Sequence, residues 1–163
     1  MRNKILSLVA AICMTMGMKA QVTTVDASSS PEQVKAEAEA NYQKGNAFWK
    51  SKETDKALAY YEKAANAGHA GAQHIMGLLY IEGKVFMQDY DKAVEWLEKA
   101  AIQGHKEAQF KLASMYHQGL GVEKDPQKAV FWAQKYKESQ AAEAASGATS
   151  TNEKGKKSNK KKK

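Results

Sequence analysis

The sequence predicts an all-α fold, an α-solenoid in which about three antiparallel helix pairs coil into a right-handed superhelix. Three observations carry this reading. First, the chain repeats itself without a gap at a shift of 36 residues: Ala72-Gln73 falls on Ala108-Gln109, Tyr80 on Tyr116, Gly83 on Gly119, Lys92-Ala93 on Lys128-Ala129 and Trp96 on Trp132. A period of this length is the mark of stacked helical units. Second, small and aromatic residues recur at helical spacing inside each unit, as in Ala72, Met76, Leu79-Tyr80 and Gly83, which fits an amphipathic helix. Third, 163 residues leave room for one compact domain plus tails.

The elements follow in order. Ser30-Pro31-Glu32-Gln33 has the form of a capping box with proline at the first helical position. It opens a helix through about Trp49, paired with a second helix from about Thr54 to Ala67. In later units the second helix opens at Asp89 or Asp125, whose carboxylate can cap free N–H groups. Pro126 sits just inside the latter start, where its missing N–H costs nothing. Ala93, Trp96-Leu97 and Ala100 form one apolar stripe. Gly68 and Gly104 are expected to end second helices in the left-handed conformation. Gly45 precedes Ala57 by 12 residues whereas Gly77 precedes Ala93 by 16, so the first unit's loop is four residues shorter.

Gly77-x-x-Tyr80-x-x-Gly83, Asp89-x-x-Lys92-Ala93-x-x-Trp96 and Lys99-Ala100-Ala101-x-x-Gly104 resemble a Sel-one-like repeat. Gly119-Leu120-Gly121-Val122-x-x-Asp125-x-x-Lys128-Ala129-x-x-Trp132 is similar to the same pattern. The unit at 38–71 resembles a plain tetratricopeptide repeat, with Gly45-Asn46, Phe48, Ala57, Tyr61 and Ala64 in place. The resemblance covers roughly residues 32–140, in units of about 32–68, 69–104 and 105–140. It departs from the pattern at Ala113, where Gly77 has glycine, and at Tyr136, where Ala100 has alanine.

Both ends differ from this body. Residues 1–20 read as a signal peptide: Arg2 and Lys4 precede the apolar stretch Ile5–Met16, with a cut expected after Ala20. Twelve mostly apolar residues are too few to span a bilayer, for which about 20 are needed; a retained anchor is the rival. The expected location is therefore periplasmic or secreted. Cys13 is the one cysteine and lies in that segment, so the mature chain can form neither a disulfide nor a cysteine metal site. Residues 21–30 form a polar linker, and residues 141–163 are expected to be a disordered, lysine-rich tail. The net charge of +7 divides into +3 for residues 1–20, +5 for residues 141–163 and −1 for the 120 between, which hold 15 lysines and 16 acids. A neutral body argues against nucleic acid as a partner.

No catalytic constellation stands out, so no enzyme activity is expected. The serines gather in the linker and tail, and no phosphate-cradling glycine motif is present. His69, His74, His105 and His117 lack metal-ligand spacing; neither metal nor cofactor is expected. The resemblance places the first helix of each pair along a concave groove. Its inward residues would be Tyr42, Asn46, Trp49 and Lys50, then His74, Leu78, Ile81 and Glu82, then Phe110, Ser114, His117 and Gln118. Rings, amides and a few charges suit a peptide or protein segment, although these rings also suit packing between units. Lys154, Lys156, Lys157, Lys160, Lys161, Lys162 and Lys163 form a second candidate site, for an anionic lipid, polymer or protein. The expected function is a protein-interaction module. The rivals are a small-ligand receptor or hydrolase using the groove, and an envelope-surface protein tethered by the tail. The last pair, with Phe131, Trp132 and Tyr136, has no following repeat, so a partner, a second copy in a homodimer or its own extended helix should cover it.

Overall fold

The structure is a computed structural model that describes the backbone of residues 30–155 and the side chains of residues 30–145. The expected leader, linker residues 21–29 and tail residues 156–163 lie outside the described residues. Within them the chain forms six α-helices: α1 (Pro31–Lys50), α2 (Thr54–Asn66), α3 (Ala70–Glu82), α4 (Tyr90–Ile102), α5 (Lys106–Gln118) and α6 (Pro126–Gly155). No strand occurs among the described residues. Each helix packs on the next in sequence, and the result is an α-solenoid of three helix pairs.

Side-chain caps open α1, α3, α4 and α6. Ser30 Oγ accepts from the Gln33 N–H at 3.3 Å while Gln33 Oε1 accepts from the Ser30 N–H at 2.8 Å, closing the capping box. Asp89 Oδ1 accepts from the Lys92 N–H at 3.0 Å, and Asp125 Oδ1 accepts from the N–H groups of Gln127 and Lys128. The turn after α1 has three residues, 51–53, whereas those after α3 and α5 have seven each, 83–89 and 119–125. This is the expected difference of four. Gly68 and Gly104 adopt φ of +91° and +89°, a region where a side chain on the Cβ would be strained.

The last helix departs from expectation. The sequence suggests disorder from residue 141, yet α6 continues to Gly155. The reason lies in the repeat phase. Gln140 stands where Gly104 turns the chain, and Ala141 stands where His105 caps the next helix. Nothing there breaks the helix, and the following Ala-Ala-Glu-Ala-Ala run favours it. The prolonged helix leans on α5: Ser139 Oγ donates to Gln109 Oε1 at 2.9 Å, and Lys106 pairs with Glu143.

The core forms two clusters. One joins Ala57, Tyr61, Ala64 and Ala65 of α2 to Ala72, Met76 and Leu79 of α3. The other joins Ala93, Val94, Leu97, Ala100 and Ala101 of α4 to Ala108, Leu112, Met115 and Tyr116 of α5. Two polar side chains are buried with them, Gln73 and Gln109. Each donates its amide to the preceding unit, Gln73 to the Ala65 carbonyl and Gln109 to the Ala101 carbonyl, both at 3.1 Å. Each also accepts from its own unit's second helix or cap, Gln73 from Gln103 at 2.7 Å and Gln109 from Ser139. All four bonds obey the 36-residue phase. Leaving such an amide without partners would cost about 1–3 kcal/mol.

Size complementarity sets the spacing within a pair. A Cβ on Gly77 would lie 2.7 Å from Leu97 Cγ and 3.2 Å from the Ala93 carbonyl oxygen. A Cβ on Gly45 would lie 2.6 Å from the Tyr61 ring. The third pair has Ala113 at this position, but it also has Ala133 where Leu97 and Tyr61 stand. The unexpected alanine is thus matched by a smaller neighbour.

Rings fill the junctions between units. Tyr42 stacks on His69 with centroids 4.2 Å apart. His69 Nδ1 accepts from the Ala72 N–H at 3.1 Å and caps α3, which leaves Nε2 to donate to Glu39 at 2.8 Å. His74 and His105 meet at the equivalent place in the next junction, 4.6 Å apart. Burial, and then the neighbouring His105, lowers the His74 pKa to about 4; burial also lowers that of His105.

Two outcomes follow from this packing. Gly77→Ala should destabilise the chain by about 1–3 kcal/mol in urea denaturation. In a Leu97→Ala background the same change should cost at least about 1 kcal/mol less; equal costs in both backgrounds would refute the size-matching argument. The second outcome concerns pH. An unfolded histidine titrates near 6.5 and folded His74 near 4, so between these values the unfolded chain binds the extra proton. Stability should therefore be complete above pH 6.5 and fall as pH drops toward 4. His74→Phe, which copies Phe110 at the equivalent position, should remove on the order of 1–2 kcal/mol of that loss between pH 7 and 5. An unchanged pH slope would contradict the assignment.

Candidate partner-binding face

The first helices α1, α3 and α5 carry the twelve residues expected to line a groove, and the structure sorts them into two groups. Tyr42 and His74 are engaged in the ring contacts between units. Asn46 is also committed, its Oδ1 accepting from Tyr61 Oη at 2.9 Å. Leu78, Ile81 and Ser114 are partly buried, Ile81 against the second core cluster, and Ser114 Oγ accepts from Gln118 at 2.7 Å.

The remainder reach solvent. Trp49 is 47% exposed and Phe110 58% exposed, with Lys50, Glu82, His117 and Gln118 also exposed. Both rings are braced from below. Trp49 leans on Tyr61 with centroids 6.3 Å apart, and Phe110 leans on Tyr136 at 5.3 Å. A ring held on one side and open on the other can bury area on binding at a low cost in side-chain order.

Sequence reasoning missed Tyr61 as the centre of the first unit's site. Its ring fills the space over Gly45, holds Asn46 and supports both Tyr42 and Trp49. The available signal was its register: Tyr61 is the 36-residue equivalent of Leu97, so an aromatic there must lie beneath the first helix.

An open cleft of about 800 Å³ lies elsewhere, between the first turns of α1 and the α2–α3 turn. Val34, Ala38, Glu39, Gly68, His69 and Gly71 are among its lining residues. It shares no residue with the twelve above. Glu39 within it is held below the usual carboxylate range by hydrogen bonds from Gln43 and His69. Among the described residues no three histidine, cysteine or acidic side chains gather as metal ligands. No described helix is long and apolar enough to cross a membrane.

Comparison with known proteins agrees with this architecture. The Sel1 repeat pattern matches residues 70–105 and 106–135, and the tetratricopeptide repeat pattern matches residues 38–67. The chain is similar to c5321, a protective antigen of uropathogenic Escherichia coli with an SLR fold, at 34% identity and a TM-score of 0.59. That match covers 68% of this chain and 26% of the antigen, so the chain spans about a quarter of that protein's length. A Sel1 repeat protein from Oxalobacter formigenes is 26% identical, with a TM-score of 0.57 over 64% of this chain and 86% of the other. Helicobacter pylori cysteine rich protein B shares the fold at 20% identity, with a TM-score of 0.54 over 69% and 92% of the two chains. No curated protein is a significant match. Sel1 and tetratricopeptide repeats generally mediate protein–protein interaction and are typically non-enzymatic scaffolds. With these matches falling on the three helix pairs in order, the chain is a helical-repeat protein of the Sel1 class, one tetratricopeptide repeat followed by two Sel1 repeats.

Proposed function

We propose that this chain is an interaction module that holds a peptide or protein segment across the face formed by α1, α3 and α5. The observation that carries this reading is the pair of braced, half-exposed rings, Trp49 on the first unit and Phe110 on the third. Between them lie Leu78 and Ile81 of α3, partly buried, and Glu82, exposed. A segment crossing all three units would meet an apolar anchor at each end and a mixed surface between. Anchors of this kind often supply most of the binding energy.

Export supports a setting for this role. The leader-like Met1–Ala20 favours a periplasmic or secreted protein, and the seven tail lysines favour an additional hold on an anionic surface. The alternative of a small-ligand receptor or hydrolase working from the groove has less support, because the groove's histidines serve apart, His74 packed on His105 and His117 exposed on the next unit.

A photo-crosslinking amino acid at Leu78 tests the reading in the native cell envelope. It should trap a discrete polypeptide, whereas the same group at Glu62, on the exposed side of α2, should not. Trp49→Ala and Phe110→Ala should each lower the crosslinked yield by about tenfold, the effect of losing one anchor. Equal trapping at both sites, or yields that ignore both substitutions, would contradict it.

A further inference from the structure

The outward side of α6 is a second surface, independent of the face just described, and the molecule itself shows what fits it. On α4 the stripe Val94, Glu98 and Ala101 is covered by α5: Val94 and Ala101 are buried, and Glu98 accepts from Tyr116 Oη at 2.7 Å. The 36-residue shift carries this stripe onto Val130, Gln134 and Lys137 of α6, after which no further helix follows among the described residues. Val94 is 5% exposed and Val130 is 66% exposed; Phe131 beside it is 50% exposed. The prolongation of α6 leaves this stripe open, because its contacts run to Lys106 and Gln109 of α5.

A second copy cannot seat its own first helix there. Taking Gly45 as the equivalent of Gly77, α1 has Lys44 where α3 has Met76 and α5 has Leu112. A lysine at the middle of the docking stripe would bury its charge against an apolar partner, which is costly without a counter-ion. On α6 the charge is placed differently. Lys137 stands at one end of the stripe, at the Ala101 position, and makes no ion pair among the described residues.

We propose that the α6 stripe docks an amphipathic helix of another protein, one with a small-to-large apolar stripe like Ala108, Leu112 and Met115 of α5, and a carboxylate set opposite Lys137. The α4–α5 junction supplies the register. Gln109 reaches the Ala101 backbone, so the residue at the Gln109 position of a docking helix comes to Lys137. Docking in this register would bury Val130 as Val94 is buried.

The test uses the full chain and a stapled peptide with the sequence of residues 106–118 carrying Gln109→Glu, followed by fluorescence anisotropy. Saturable binding is expected. Val130→Asp, on an exposed side chain and with an unchanged circular dichroism spectrum, should weaken it at least tenfold. Lys137→Glu should weaken the Gln109→Glu peptide and strengthen a Gln109→Lys peptide by a similar factor. Absence of saturable binding up to about millimolar peptide, or binding indifferent to Val130→Asp, would overturn the proposal. So would sedimentation showing a dimer that Val130→Asp dissociates, since the occupant would then be a second copy.

Discussion

The phase of the stack depends on two buried amides, Gln73 and Gln109, because each hydrogen-bonds across three helices whose other buried contacts are mostly apolar. Alanine-lined helices slide easily over one another: many registers bury similar area, and dispersion is not directional. A buried amide allows one register, the one in which its donor and acceptor are both satisfied. Here the donor reaches back to Ala65 or Ala101 and the acceptor receives Gln103 or Ser139. The first unit has Asn41 at this position, partly exposed, and no helix precedes α1 among the described residues. The tie therefore appears only where there is something to tie.

The remaining geometry follows from that register. Glycine at 45 and 77 lets each pair close on a large residue of the second helix, and left-handed glycine at 68 and 104 delivers the chain to the next unit. Where Gln140 replaces the turning glycine, the helix continues instead of turning back. Rings then occupy the space between units, Tyr42 on His69 and His74 on His105. The open faces at Trp49, Phe110 and Val130 are what remains once these demands are met.

The fold was legible in the sequence because its determinants are local and periodic. The 36-residue phase, the Asp89 and Asp125 caps, the capping box and the shorter first loop can all be read by register. The site was legible only in part. Register identified which residues lie on first helices, but exposure depends on neighbours distant in sequence. Tyr42 and His74 are taken up by histidines 27 and 31 residues away. Trp49 and Phe110 stay open because the rings they rest on, Tyr61 and Tyr136, fill the space beneath them. The reach of α6 was missed for another reason: a composition of Ala, Ser, Gly and Lys lacks apolar residues to bury, which reads as disorder, while its alanines permit helix wherever a folded helix already leads into them.

The central claim is that the buried amides couple the units, and native-state hydrogen exchange on Gln109→Leu tests it most directly. Leucine keeps the apolar fill and removes both hydrogen bonds. The account predicts that amides of α5 and α6 lose about tenfold or more in protection, equivalent to about 1.4 kcal/mol, while those of α1 and α2 keep theirs. Protection lost evenly along the chain, or not lost at all, would contradict it.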